Sequence, residues 1–423
     1  MDVISSLPAE VKERILERLP IRDAARTAVL STRWKDAWLR LGRLVFDREF
    51  FESFSSRYED DEEGEEGTAQ ISAINDIFLL RTGAVKKFTL HLEDVSDPKP
   101  RQCDLDLWCR FLSRNRNDLE ELELFISRFH KLPMCIFSCR TIKRLSLGYF
   151  IFDLPIPRPG CIFPCLTSLA FWDVEFSDTV KGIGYTIPNL EDLSFFCCEG
   201  ITNFEICSPK LERYTVVDSV FGRKLDDSRC FTRYLEIIKT LSLNATLVPV
   251  PCKNAEIARV TLPTAINLKT INLYELNVSC PEQLAFALQL LQNSPTLCEL
   301  KIWAFNDLCC CDITKGIRLM EDPNSCIIKQ DLEILDTITI FEFRGSTLEM
   351  LFVKTLLSKS PTLRKVRMMV WAGDNSEYVN SRLRELLLFP RASPKAIIFC
   401  FERKHQSLSL NNEHDIQLLF RTT

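Results

Sequence analysis

Histidine and glycine are scarce, with four histidines (His91, His130, His405 and His414) and 13 glycines in 423 residues. The histidines are scattered, and the glycines form no GxxxxGK or GxGxxG loop of the kind that cradles phosphates. No motif marks a nucleophile with its base and orienting group, so an enzyme is not expected, and neither is a cofactor or a metal. No apolar run approaches the ~20 residues that span a bilayer. The N-terminus carries Asp2, Glu10 and Lys12 rather than a basic and then apolar leader. Neither sign of charge dominates: 53 Lys and Arg stand against 58 Asp and Glu, a net of -5. Seven of the acids lie between Glu59 and Glu66, and the remainder balances at about +2. Bulk electrostatics therefore points neither to direct nucleic-acid binding nor to a membrane surface.

Cysteine is plentiful, with 18 residues that include Cys197-Cys198 and Cys309-Cys310-Cys311. Without a leader these read as free thiols in a reducing compartment, which places the protein inside the cell, in nucleus, cytoplasm or both, and not secreted. The sequons at Asn244 and Asn277 are then formal matches. Cys135-x3-Cys139 and Cys161-x3-Cys165 offer four thiolates to zinc, but the spacing is loose and burial as small apolar side chains is the favoured reading. Asp307 and Asp312 beside the cysteine triplet oppose thiolate formation there.

From Leu7 to Leu41 the apolar residues recur at helical spacing. Pro8 opens a helix whose stripe is Val11, Ile15, Leu16 and Leu19, and Pro20 stops it. Asp23 is expected to cap a second helix, and Ser31 a third that carries Trp34 and Trp38. Three helices in so short a segment bury little, so part of their apolar surface should face a partner or the rest of the chain. Residues 57–68, rich in like charges and glycine, read as an exposed acidic loop within a linker over 46–80.

Beyond it an LxxLxL pattern recurs, clearest at Val85-Phe88-Leu90, Leu119-Leu122-Leu124, Ile142-Leu145-Leu147, Leu166-Leu169-Phe171, Leu190-Leu193-Phe195 and Leu211-Tyr214-Val216. Later copies are Ile238-Leu241-Leu243, Leu268-Ile271-Leu273, Leu297-Leu300-Ile302, a stretched Leu332-Leu335-Ile338, and Leu363-Val366-Met368. Such copies cannot bury their apolar edges alone and must stack as a solenoid, each giving one strand to a parallel sheet on the concave face. Prolines stand two residues before the motif at Pro164, Pro188, Pro209, Pro295 and Pro361, where a missing N–H costs no strand bond. The run 290–297 matches 356–363, and helical patterns precede both, so helix, Ser-Pro turn and strand form one reused unit.

The first 41 residues closely resemble an F-box in Leu7-Pro8, Ile15-Leu16, Leu19-Pro20, Ile21, Asp23-Ala24, Arg26, Val29-Leu30-Ser31, Trp34 and Trp38. The later chain resembles the plant F-box/FBD/leucine-rich-repeat family, through Phe341-Glu342-Phe343-Arg344-Gly345, Phe352-Val353-Lys354, Ser360-Pro361 and Leu387-Leu388-Phe389-Pro390-Arg391-Ala392-Ser393-Pro394. The fold implied is α/β: a three-helix F-box over 1–45, irregular leucine-rich repeats over 81–331, FBD-like terminal repeats over 332–402 and a tail over 403–423.

The resemblance implies a substrate-recognition adaptor of an SCF-type ubiquitin ligase. The F-box would bind a Skp-type linker protein and, through it, cullin and RING subunits, while the repeats hold a target protein. Linker-binding candidates are Leu7, Pro8, Ile15, Leu16, Leu19, Pro20, Val29, Leu30 and Trp34, ringed by Lys12, Arg14, Arg18, Arg22, Arg26, Arg33 and Lys35, which can steer an acidic partner. Target-binding candidates are Arg144, Trp172, Asp192, Phe196 and Arg213. Alternative readings are a non-degradative interaction scaffold and a small-ligand co-receptor coupled to the ligase.

Overall fold

The computed structural model describes residues 6–55, 65–92, 100–114, 118–153, 162–180, 183–201, 204–217, 231–245, 262–305, 313–322, 326–371, 376–403 and 416–421. The chain divides into two units, Met1–Lys210 and Leu211–Thr423.

In the first unit, α1 (Ala9–Leu16) starts after Pro8 and α2 (Ile21–Arg26) after Pro20, two prolines whose fixed φ suits the residue before a helix. Asp23 is not the cap of α2. It lies in the first turn, where its carboxylate accepts from Arg26 at 3.1 Å and complements the helix dipole. A third α-helix does not form: residues 32–37 are turns, followed by a 3-10 turn at Trp38–Arg40. The Ser31 hydroxyl accepts from Arg33 N–H at 3.2 Å, a local bond that competes with helical pairing and tightens the chain.

The expected linker over 46–80 is instead built into the core. β1 (Arg43–Phe46) is followed by α3 (Arg48–Ser55) and α4 (Glu65–Leu80). Phe46, Phe50, Phe51, Ile74 and Phe78 are buried there. Phe46 meets Phe50 edge-on at 4.9 Å, and Phe78 packs on Phe88 of the first repeat at 5.6 Å. Of the acidic loop, residues 57–64 lie outside the described residues, and residues 65–68 form the start of α4.

The remaining elements are β2 (Lys87–His91), α5 (Gln102–Leu112), β3 (Glu121–Lys131), β4 (Arg144–Phe152), β5 (Ser168–Trp172), β6 (Glu175–Phe176), β7 (Ile183–Thr186), β8 (Asp192–Phe196) and β9 (Phe204–Cys207). Strands pair in parallel in the order β1-β2-β3-β4-β5-β8, with β6 also on β4 and β7 paired with β9 apart. All three apolar positions of each LxxLxL copy are buried to 2% exposure or less in this unit. One carbonyl per repeat accepts two N–H groups from the next: Gly42 from Lys86 and Lys87, Lys86 from Glu120 and Glu121, Glu120 from Lys143 and Arg144. The first of these carbonyls belongs to the end of the F-box-like segment, which thereby starts the repeat ladder. Gly83 seals the same joint: its N–H donates to Leu39 O at 3.3 Å, and a Cβ there would stand 2.6 Å from Arg40 Cα.

In the second unit β10 (Arg213–Val217), β11 (Thr240–Asn244), β12 (Thr270–Leu276), β13 (Glu299–Ala304), β14 (Thr337–Phe341), β15 (Lys365–Trp371) and β16 (Ile397–Arg403) pair in parallel in chain order. Helices α6 (Pro281–Gln292), α7 (Ile313–Glu321), α8 (Thr347–Lys359) and α9 (Ser376–Leu387) connect the later strands. The register pairs Ile338 with Leu300 and Ile340 with Ile302, so the repeat expected at Leu332-Leu335-Ile338 is the unstretched Leu335-Ile338-Ile340. Leu332 is also apolar and buried, which hid the frame. The reused Ser-Pro-Thr-Leu turn has a bond to explain it: Thr296 and Thr362 hydroxyls donate to Leu268 O at 3.0 Å and Leu335 O at 3.2 Å, each the first motif residue of the preceding repeat. The tail over 403–423 contributes β17 (Ile416–Arg421), antiparallel to β16, while 404–415 lie outside the described residues.

The segment Phe341–Gly345 also acquires a physical reading. Glu342 and Gly345 adopt left-handed φ of 59° and 73°, and a Cβ on Gly345 would stand 2.8 Å from Arg382 Cβ. Ser346 then caps α8 in a reciprocal box with Glu349.

Burial pushes the Cys139, Cys198 and Cys400 thiols up to about 12 and Cys109 well above its ordinary value. Cys103, Cys165 and Cys207 are exposed. A thiol reagent at about pH 8 is expected to label these three in the native protein, and Cys109, Cys139, Cys198 and Cys400 only after denaturation, read by mass mapping. Native labelling of Cys198 at the rate of Cys207 would contradict this burial.

Candidate protein-interaction surfaces

In the F-box-like segment the amphipathic helix leaves an apolar stripe uncovered. Val11, Ile15 and Leu19, four residues apart, are each about 40% exposed. Pro8 and Pro20 are exposed and Leu7 is half-buried. Val29 and Leu30, after α2, are 86% and 74% exposed, large values for branched aliphatic side chains. Two of the linker-binding candidates are not at the surface. Leu16 (0% exposed) and Trp34 (4%) form the core of the segment, because three short elements need one apolar residue each to close on. Lys12 is likewise removed from the steering set: it is buried, with its ammonium 5.6 Å from the Trp34 ring centroid. A cavity of about 460 Å³ opens beside Leu19 and Pro20, and Arg18, Arg22, Arg26 and Arg43 face Glu17, Asp23, Asp47 and Glu49 in its lining, so neither charge sign prevails there.

On the sheet of the first unit the residues between the buried motif positions share the other face. Their register makes rows across the strands. One row is Lys87, Glu121, Arg144, Ser168 and Asp192, and the next is Thr89, Glu123, Ser146, Ala170 and Ser194. A third, where the strands end, is His91, Phe125, Gly148, Trp172 and Phe196. Trp172 and Phe196 stack at 3.9 Å and 16°. Gly148 lets the Phe125 ring lie across β4, since a Cβ there would be 2.5 Å from Phe125 Cδ1, and Phe125 reaches Trp172 at 6.1 Å. His91 meets Phe125 at 4.8 Å, which completes an aromatic strip. Four target-binding candidates, Arg144, Trp172, Asp192 and Phe196, thus share one face; Arg213 starts β10 in the second unit.

The polar rows are satisfied within themselves. Arg144 pairs with Glu121, Lys87 lies 3.0 Å from Glu121 and 3.5 Å from Glu123, and Ser194 donates to Asp192 at 3.1 Å. The Glu123 carboxyl is held down to about 2 by His91, with help from Lys87 and Thr89. A folded-state value below the ordinary 4.5 means that Glu123 stabilises the fold above about pH 4.5 and loses this contribution as pH falls toward 2. The stability difference between wild type and Glu123→Gln should therefore be constant at neutral pH and shrink between about pH 4.5 and 2 in urea titrations. A difference that does not change with pH would contradict the pairing.

The second unit repeats the arrangement with other residues. Tyr274 stacks on Trp303 at 4.3 Å and 20°, and Trp303 on Phe341 at 4.5 Å and 11°. Sequence reasoning picked out Trp172 and Phe196 but not His91, Phe125, Tyr274, Trp303 or Phe341. Their shared signal is the position immediately after the third apolar residue of LxxLxL. In five repeats the next residue is left-handed: Tyr149, Asp173, Cys197, Glu275 and Glu342, with φ between 49° and 64°. β5, β8 and β14 end there, just past the strip.

Among the described residues no helix is long and apolar enough to cross a membrane, and no group of three or more His, Cys, Asp or Glu is placed to hold a metal ion. Cys161 and the cysteine triplet lie outside the described residues.

The surfaces coincide with segments that match known families. Residues 4–46 match the F-box domain model, and residues 105–278 match the model for the LRR repeats of FBD-associated F-box protein At5g56370. The F-box/FBD/LRR-repeat protein At1g13570 of Arabidopsis thaliana is 28% identical over 444 positions, covering 93% of this chain and 97% of the relative. The putative F-box/FBD/LRR-repeat protein At4g00315 of the same plant is 32% identical over 201 positions, 46% of this chain and 42% of the relative. F-box/LRR-repeat protein At2g42730, also from Arabidopsis thaliana, is 24% identical and covers 94% of this chain and 97% of its own length. An F-box followed by strand-forming leucine-rich repeats is what the fold shows and what these matches share, and the chain is similar to plant F-box/FBD/LRR-repeat proteins over nearly its whole length.

Proposed function

We propose that this protein is a substrate-recognition adaptor of an SCF-type ubiquitin ligase. The F-box binds a Skp-type linker protein, through which cullin and RING subunits are recruited, and the repeats hold a target protein. The observation that carries this reading is the uncovered stripe of Val11, Ile15 and Leu19 with the strongly exposed Val29 and Leu30. Such aliphatic area, with prolines at its ends, is what a partner helix or loop would desolvate. The exposed cations Arg14, Arg18, Arg33 and Lys35 steer an acidic linker toward it. The chain contributes proximity: it raises the local concentration of a target lysine near a loaded conjugating enzyme and leaves the chemistry to other subunits.

On the target side, Arg144, Trp172, Asp192 and Phe196 of the first unit and Arg213 of the second are the proposed contact residues, with Phe125 extending the aromatic strip. The joint at Gly42 and Gly83 supports a fixed placement of the F-box on the first repeats. The test is reconstitution of the purified chain with linker, cullin, RING and conjugating enzyme. Capture of the linker by the wild type, and its loss when the exposed stripe is charged, are expected. Absence of affinity for any Skp-type linker by the folded protein would overturn the reading.

A further inference from the structure

We propose that the sheet face of the second unit docks an extended acidic segment of a partner protein, with its carboxylate on Lys365 and Arg367 and apolar side chains to either side. This rests on the reading that the repeats hold the target, and it names the chemistry of the segment held. In register, Thr337, Lys365 and Ile397 form one row and Thr339, Arg367 and Phe399 the next. Lys365 and Arg367 are two residues apart on β15, so both project from the same face, and both are exposed.

The nearby charges are already paired. Lys301 lies 3.1 Å from Glu299 on its own strand, and Asp336, whose field reaches Lys365, is held by Arg364. Lys365 and Arg367 form no ion pair among the described residues, which leaves the face with a positive surplus at β15. An anionic partner gains most where such cations are flanked by apolar groups that exclude water. The flanks are present. On one side run Trp303 and Phe341; on the other, Ile397, Phe399 and Phe401 are half-buried.

The stacking of Tyr274, Trp303 and Phe341 decides between kinds of anion. Trp303 has a ring on each face, so no base can insert within this ladder, which disfavours single-stranded nucleic acid. The ring edges carry the positive end of the quadrupole and add to the preference for carboxylate. Spacing fits as well: from β13 to β16 is three strand separations, about 14 Å, and an apolar-x-acid-x-apolar stretch in extended form covers about the same length.

The test is fluorescence anisotropy with the full chain and a short labelled peptide that carries Leu-Ser-Glu-Ser-Phe, beside versions with Gln or Lys for Glu. The Glu peptide is expected to bind about tenfold more tightly than the Gln peptide, and the Lys peptide more weakly still. The double variant Lys365→Glu with Arg367→Glu should lose the Glu peptide and gain the Lys peptide, with unchanged thermal unfolding because both residues are exposed. Failure of the Glu peptide to bind, or equal binding by the charge-reversed variant, overturns the proposal. So does a phosphoserine peptide that binds more than about tenfold tighter than the Glu peptide, since the site would then be one for phosphate. Linker binding measured on the same preparation separates the two readings: its loss sinks the adaptor role, whereas linker binding with charge-insensitive peptide binding sinks only this site.

Discussion

Aspartate at Ile15 and Leu30 together is expected to weaken linker binding severely while the chain stays folded. Ile15 is 41% and Leu30 74% exposed, so a carboxylate at either site remains hydrated in the free protein and costs little stability. In the complex each carboxylate would be stripped of water against an apolar partner. Interface anchors of this kind are worth about 2–4 kcal/mol each, so the pair should weaken linker affinity by roughly a thousandfold or more. Titration calorimetry with a Skp-type linker, beside a thermal melt, checks both halves of the statement. Leu16→Asp, by contrast, places a charge at a site with no exposure and should unfold the F-box itself, so its loss of binding would say nothing about the interface. Retained affinity in the Ile15→Asp, Leu30→Asp variant would mean that the linker contacts another surface.

Gly83→Val is expected to loosen the F-box from the repeats. The new Cβ would stand 2.6 Å from Arg40 Cα and 2.8 Å from its carbonyl oxygen, and backbone cannot swing aside as a side-chain tip can. The bonds from Thr82 and Gly83 N–H to Leu39 O would be lost with the displacement. Overpacking against main chain costs about 1–3 kcal/mol or more. Nearby, the buried Arg81 guanidinium donates to Leu41 O; burial lowers its pKa to about 10, so it stays charged at neutral pH and depends on that carbonyl. Separation of this joint would expose Arg81, and the cost is recovered by its hydration, so the F-box should detach before the repeats unfold. Limited proteolysis is the readout: early cleavage between residues 40 and 90 in the variant, with a stable repeat fragment, is expected. A cleavage pattern identical to wild type would show that the joint tolerates the side chain.

The LxxLxL spacing by itself specified the parallel strands, because a period-2 apolar core with a fixed lead residue can be buried only by stacking on its neighbours. The F-box motif was equally legible, since Leu7-Pro8, Leu19-Pro20 and Trp34 are local signatures. The aromatic strips were not. Trp172 and Phe196 are adjacent only because Ser168 and Asp192 begin neighbouring strands in register, and the reach from Phe125 to Trp172 depends on a glycine one strand away. Residues 46–80 read as a linker because their phenylalanines find partners in a repeat dozens of residues later.

Burial likewise divided residues that the sequence treats alike. Ile15 and Leu16 are consecutive members of the same apolar stripe, yet one faces solvent and the other is enclosed. Amino-acid order determined which residues are apolar, how often they recur and therefore that strands must stack behind a small helical module. Only the tertiary structure decided which apolar side chains remain for a partner and which charges remain unpaired, because exposure and pairing depend on what the rest of the chain places opposite each residue.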